Sequence, residues 1–546
     1  MKKLFVYITV LFSAYAITDA CTNLLVTKGA STDGSTMIFY SADAGGFMEP
    51  LYFLPAQKHE KGDSIEIYDW DTGKYLGKIP QVEETYQVVG NMNEFQVSIG
   101  ETTFTGRKEL RDTTGIIDYG SLMRLALQRA KTAREAIDVI DNLLQTYGYY
   151  STGESFSIAD PNEVWYMEMI GKGPGNTGAV WVARKVPDGY ISAHANQARI
   201  TTFPTNDPEN TLYTEDVIDL AVEKGYYDPD SGEPFSFADT YNPLDPTGLL
   251  YCEGRVWSLF RRSAPSLNLS PDYFRAVVGA EPYPLWIKPD ERISLEFAMS
   301  LVRDHFEGTD FDMRKGLAAA PFGNPYRWKN LGWEIEGDTT KYGWERPIST
   351  QQTAFSFISQ MRSWLPDEIG GVFWYGTDDN YSTVYVPLYC SIEYPPKSFT
   401  VGAINDFTME SAFWVFNLVA NLAYTKYDYM IKDIQKVQSH FEGKFMAFQP
   451  AVDKAALSLY ETDKKLAVNY LTDYSVSQAE MVVERWRELW RYLVMKYNDG
   501  FVNDVNVKGG RAPKGVGYGE EFFKKVIEER PGYYDVEYRY KDSSKK

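Results

Sequence analysis

Residues 21–43 read CTNLLVTKGASTDGSTMIFYSAD. Thr22 to Lys28 is rich in apolar residues and reads as a strand. Gly29 to Gly34 follows as a turn and Ser35 to Tyr40 as the returning strand, with Asp33-Gly34 as a hairpin signal. This puts Cys21 at the end of a central strand, where sheet pairing holds a side chain rigid. Asp43 closes the second strand. A carboxylate there can hold an ammonium or orient a thiol, and it can equally be a strand-end turn residue.

What precedes Cys21 reads as an export signal. Lys2 and Lys3 form a basic start, and Leu4 to Ile17 is mostly apolar but too short to span a bilayer comfortably. Thr18 and Ala20 occupy the two positions that signal peptidase reads, so residues 1–20 are expected to be removed. Cys21 then carries a thiol and a free α-amine together. The thiolate is a nucleophile, and the amine beside it can take the thiol proton and return it to a leaving group. Two other readings stay open. Cys21 could be a lipid attachment site, although Thr18 and Asp19 suit that poorly, or a structural cysteine that follows the cut.

The chain has 546 residues, with 55 Lys+Arg, 75 Asp+Glu and a net charge of −20. Losing Lys2, Lys3 and Asp19 with the leader leaves 526 residues, 53 basic and 74 acidic, at −21. That balance argues against nucleic acid or an anionic membrane as partner and favours a soluble exported protein, periplasmic or secreted. No Gly/Ser-rich or Pro-rich linker divides the sequence, so residues 21–546 read as a single domain with C-terminal helical additions. The three cysteines are Cys21, Cys252 and Cys390; an odd count leaves one free, and the other two either pair or are buried. His59, His194, His305 and His440 lie far apart, and no CxxC or HExxH occurs, so neither a metal nor a cofactor is expected.

Further candidates sit at predicted strand ends. Asn91 and Asn93 occupy a turn before a strand patterned on Phe95, Val97 and Ile99. An amide there can donate to an oxyanion, or the stretch can be a plain Asn turn. Glu94 and Glu101 are candidate partners for a substrate amine or surface carboxylates. Asn196 ends the strand in HANQARI and is another oxyanion candidate. Arg255, in CEGRVW, can bind a substrate carboxylate or form a structural salt bridge.

The rest is scaffold. Asp118 to Tyr147 predicts two helices, with Asp118 capping the first, Thr132 and Glu135 a capping box on the second, and Gly148 the stop. Ser155 to Ile170 and Val180 to Ala195 read as hairpins of a second sheet. Residues 203–290 read as loops and short helices over the site. Further helices are expected at Ser294 to Phe306, Ser411 to Tyr424 and Ser477 to Tyr497, strands at 350–395, and a charged tail at 530–546. The acidic turn Arg303 to Asp312 lacks EF-hand spacing and reads as structural.

Several pieces together resemble the cysteine dipeptidases of the N-terminal-nucleophile (Ntn) hydrolase superfamily, relatives of penicillin V acylase and bile salt hydrolase. They are CTNLLVTKGASTDGSTM at Cys21, Asp43, NEFQVSIGETT at Asn93, GYISAHANQARI at Gly189, RDHFEGT at Arg303 and SAFWVFNLVAN at Ser411. The resemblance implies an α+β fold, the αββα sandwich of two antiparallel sheets between helix layers. It implies hydrolysis of dipeptides through a thioester on Cys21. It assigns Asp43 as the carboxylate near the nucleophile, Asn93 and Asn196 as oxyanion donors, and Arg255 as the distal arginine. The expected partner is a small peptide substrate, and a homo-oligomer is compatible with the chain. Amides such as bile salts, acyl-homoserine lactones or penicillins are the alternative substrates. One departure matters: the acylase relatives carry Arg three residues before the Asp, where this chain has Tyr40.

Overall fold

The computed structural model describes residues 21–328, 331–507 and 513–536. The expected leader, residues 1–20, and the last ten residues of the charged tail, 537–546, lie outside these. The class is α+β, built on two antiparallel sheets. The first has seven strands in the spatial order Trp286–Ile287, Ile191–His194, Thr22–Val26, Thr36–Asp43, Thr353–Met361, Val372–Thr377 and Val386–Tyr389. The second has eight, in the order Thr211–Tyr213, Ala179–Lys185, Val164–Gly171, Glu154–Ala159, Ser98–Thr103, Met92–Asn93, Val88–Val89 and Phe53–Leu54.

Cys21 heads the inner hairpin of the first sheet. Thr22 pairs with Ser41 and Val26 with Met37, and every residue of both strands is buried. Burial on both faces explains why these strands read as apolar runs with little alternation. The connection is a short 3-10 turn at Lys28–Ala30 followed by a loop in which the Asp33 carboxylate accepts from Ser35 N and Gly34 takes φ 82°. Only glycine adopts that left-handed conformation without strain.

The two sheets meet through polar contacts along the Cys21 hairpin. Asn23 Nδ2 donates to the Glu101 carbonyl at 2.6 Å, and Thr36 Oγ1 donates to the Asp160 carbonyl at 2.6 Å. His194 bridges Thr102 Oγ1 (2.7 Å) and Ser157 Oγ (2.8 Å) while stacking on Tyr166. Gly100 faces Asn23 and Tyr40 so closely that a Cβ there would collide with the Asn23 side chain. The sheets can approach only because that position lacks a side chain.

Helices Tyr119–Leu127 and Ala133–Tyr147 pack on the second sheet, burying Leu122, Ile137, Ile140 and Leu144 against Ile99, Phe156 and Trp165. The expected caps are present: Asp118 accepts from Ser121 N and Thr132 from Glu135 N, with Gly148 at φ 75°. The reciprocal arm of the capping box reaches the Lys131 N–H instead of Thr132. Helices Ala412–Ala423, Tyr427–Thr462 and Lys464–Lys496 pack against one another beside the first sheet, with Trp486 stacked on Phe416.

Three readings need correction. The Pro187-Asp188-Gly189 turn does not close a hairpin within the second sheet; it carries the chain from Ala179–Lys185 in the second sheet to Ile191–His194 in the first. The crossing is pinned by tertiary bonds, with Asp188 accepting from Gly29 N and Thr27 Oγ1 accepting from Gly189 N. The strand patterned through Phe95 instead starts at Ser98, because Met92–Asn93 turns back on Val88–Val89 and Gln96 takes φ 63°. The 36-residue helix Tyr427–Thr462 was not foreseen, and the last long helix starts at Lys464, well before Ser477. Pro450 inside the first of these and charges buried against Arg303 and Arg362 obscure its periodicity.

Candidate functional site

The Cys21 thiol is nearly enclosed, 7 % exposed, at the start of its strand. It donates to Glu101 Oε1 at 3.3 Å, and the Tyr40 hydroxyl lies 3.8 Å from the sulfur. Tyr40 in turn donates to the same Glu101 oxygen at 2.5 Å. Burial pushes the thiol pKa well up, and the negative charges of Glu101 and Asp43 push the same way. The Asp43 backbone bonds the sulfur and partly opposes that rise. The resting group is thus a neutral thiol, and attack through this sulfur needs a base in direct contact.

Arg255 organises the backbone around Cys21. Its Nη1 donates to the Cys21 carbonyl at 2.5 Å and to Thr22 Oγ1 at 2.9 Å. Nη2 donates to the Ala195 carbonyl at 3.1 Å and Asn196 Oδ1 at 2.9 Å, and Nε to the Tyr251 carbonyl at 2.8 Å. All five guanidinium N–H groups are therefore spent, and the side chain is fully buried. Neither sequence alternative holds: Arg255 has no donor left for a substrate carboxylate and is in no salt bridge with a described residue. It is a clamp between Cys21 and Asn196.

Asn196 is brought to the site, with φ 59°. Its Oδ1 is held by Arg255 and its Nδ2 donates one hydrogen to the Thr103 carbonyl at 2.7 Å, which leaves a second amide hydrogen to donate. Asp43 is brought there too. It is buried, with Oδ2 accepting from Arg346 Nη2 at 2.9 Å and Oδ1 from Thr353 Oγ1 at 2.6 Å. Asn93 is not brought to this cluster. Its Nδ2 donates to the Leu127 and Ala130 carbonyls and its Oδ1 accepts from Phe95 N and Val97 N. That amide is consumed in closing the end of a helix and a turn, so its expected oxyanion role is corrected to a structural one.

Sequence reasoning missed three participants. Tyr40 and Glu101 both lie against the sulfur. The sequence offers Glu101 as a partner for a substrate amine or as a surface carboxylate, and nothing local shows that it reaches Cys21. Arg346 comes from a loop more than 300 residues away in sequence, and no local pattern could reveal it. Cys252 and Cys390 are buried and unpaired; Cys252 Sγ bonds the Asn196 carbonyl at 3.4 Å. Among the described residues no group of His, Cys, Asp or Glu is arranged to hold a metal, and no helix is long and apolar enough to cross a membrane.

Comparison with known proteins adds a family and relatives. The family model of Peptidase family C69 matches residues 20–440, well over half of the chain. A "Probable dipeptidase" of Latilactobacillus sakei is 24% identical over 494 residues, covering 85% of this chain and 95% of that protein. A "Probable dipeptidase" of Salmonella dublin is 26% identical over 392 residues, 68% of this chain and 81% of that one. "Dipeptidase A" of Lactobacillus helveticus is 25% identical over 469 residues, 82% and 88% respectively.

Proposed function

The chain belongs to peptidase family C69 and so is a hydrolase of peptide bonds, and from that premise we propose that it cleaves dipeptides through a thioester on Cys21. We propose further that its two sheets and flanking helices are the Ntn-hydrolase αββα sandwich, with residues 21–546 as one catalytic domain. Residues 1–20 are an export signal whose removal makes Cys21 the first residue of a periplasmic or secreted protein. The observation that carries this reading is the clamp on Cys21. A nucleophile at the head of a buried strand, with its own carbonyl gripped by Arg255, has a fixed position from which to attack.

The α-amine of Cys21, with a pKa near 8 in peptides, is the base in contact that a neutral thiol requires. It takes the Sγ proton as sulfur adds to the scissile carbonyl. The remaining Asn196 amide hydrogen donates to the developing oxyanion. The ammonium returns the proton to the leaving amine, and water then hydrolyses the thioester. Asp43, fixed by Arg346 and Thr353, holds the ammonium form. The relatives' printed names agree with dipeptides as substrates.

The test combines two measurements on protein purified after export. Mass spectrometry is expected to give a bare N-terminal Cys21, and a dipeptide panel is expected to yield free amino acids with wild type and none with Cys21→Ala. Full activity in Cys21→Ala, or a capped terminal nitrogen in active protein, would overturn the mechanism.

A further inference from the structure

Beside Cys21 lies a pair of buried carboxyl groups that the proposed mechanism leaves unused. Glu101 is 2 % exposed and Glu154 fully buried, and the two stand within hydrogen-bond range of each other. Glu101 Oε1 accepts from Tyr40 and Cys21, and Glu154 Oε2 accepts from Thr103 Oγ1 at 2.9 Å. The other oxygen of each, Glu101 Oε2 and Glu154 Oε1, has no hydrogen bond outside the pair, and the two carboxyls hydrogen-bond each other. Neither carboxyl is ion-paired with a described residue. Burial, the Glu101 charge, the hydrogen bond to Glu101 and nearby Asp71 all raise the proton affinity of Glu154, so the pair shares a proton. That proton leaves the pair with one buried negative charge and no described cation on it, a charge that a visiting ammonium would match.

Covalent geometry says what can visit. In a peptide with a free N-terminus cleaved after its first residue, the α-nitrogen lies about 2.5 Å from the scissile carbonyl carbon. At attack that carbon is about 3–3.5 Å from sulfur. The α-ammonium must therefore come within about 6 Å of Sγ. Glu101 Oε1, at 3.3 Å from Sγ, falls inside that shell. We infer that Glu101 and Glu154 form the binding site for the α-ammonium of the substrate's first residue, which restricts the enzyme to peptides with an unblocked N-terminus. This rests on the Cys21 thioester reading and adds to it the substrate feature that is read. An ammonium has three donors, enough to replace the shared proton and bond both carboxyls.

The test compares Ala-Ala with N-propionyl-alanine, which differs only in lacking the ammonium, and with N-acetyl-Ala-Ala. Wild type is expected to prefer Ala-Ala over propionyl-alanine by about 10⁴-fold in kcat/KM, as expected when buried polar groups lose their partner. Glu154→Gln is expected to raise KM for Ala-Ala by about tenfold or more, with kcat little changed, and to shrink that preference. Equal cleavage of both compounds by wild type would overturn the inference and leave the thioester reading standing. A Glu154→Gln variant that loses kcat and keeps its full preference would also overturn it, since the pair would then serve the Cys21 amine. Failure of wild type to cleave any dipeptide would instead sink the parent reading and this one with it. The wild-type comparison holds even if the variant does not fold.

Discussion

Arg255 holds Cys21 by its own carbonyl oxygen, at 2.5 Å, while the other arm of the same guanidinium holds Asn196 at 2.9 Å. One planar side chain thus sets the distance between the proposed nucleophile and the amide proposed to stabilise the oxyanion. Arg255→Lys keeps the charge and loses the fork, because an ammonium cannot reach five acceptors in a plane. We expect kcat to fall by about 10²-fold or more, the cost of a small misplacement of reacting groups. KM should change much less, which steady-state kinetics on a dipeptide will check.

The two asparagines singled out by the sequence should separate cleanly on mutation. Asn196→Ala removes the proposed oxyanion donor and should cost about 10²–10³ in kcat with the fold intact. Asn93→Ala strips four structural hydrogen bonds from a buried turn, at about 1–3 kcal/mol for each buried group left unpaired. Its effect belongs in the melting temperature, with kcat of the folded fraction preserved. Thermal melts beside kinetics distinguish the two.

Reactivity of the Cys21 thiol can be read without any substrate. Burial and the Glu101 charge hold its pKa well above the ordinary range, so little thiolate is present near neutrality. Glu101→Gln removes one of the charges that raise it. Iodoacetamide labelling of Cys21, followed by mass spectrometry across pH 7–10, should therefore be faster in the variant, with its midpoint at lower pH. An unchanged midpoint would mean that Glu101 exerts no charge on the sulfur.

Stability should fall as pH rises through neutrality. Burial raises Asp378 and Glu168 to about 7, far above the unfolded carboxyl range near 4. Between those values the folded protein binds more protons than the unfolded chain, so the unfolding free energy decreases with pH. The melting temperature is expected to be lower at pH 8 than at pH 6. Asp378→Asn retains a partner for the Asn417 amide and removes one titration, so its melting temperature should vary less over that range. Calorimetry at four pH values decides it.

The hairpin headed by Cys21 was legible because its residues carry local signals. An apolar run, an Asp-Gly turn and a second apolar run fix two paired strands, and helix caps at Asp118, Thr132 and Ser294 are equally local. Cys21 could be picked out for the same reason, since what marks it is the sequence just before it. The surroundings of its sulfur had no such signal. Glu101 looks like any strand carboxylate, Arg346 sits in an undistinguished loop, and Asn93 looks as good an oxyanion donor as Asn196. What separates them is which face of which sheet meets the other, and that depends on contacts such as Gly100 against Asn23 that join residues far apart in the chain. Short-range chemistry therefore determined the strand and its leading cysteine. Only the packing of one sheet on the other decided which acids, amides and guanidinium share its pocket, because a side chain's hydrogen-bond partners are set in three dimensions and leave no periodic trace along the sequence.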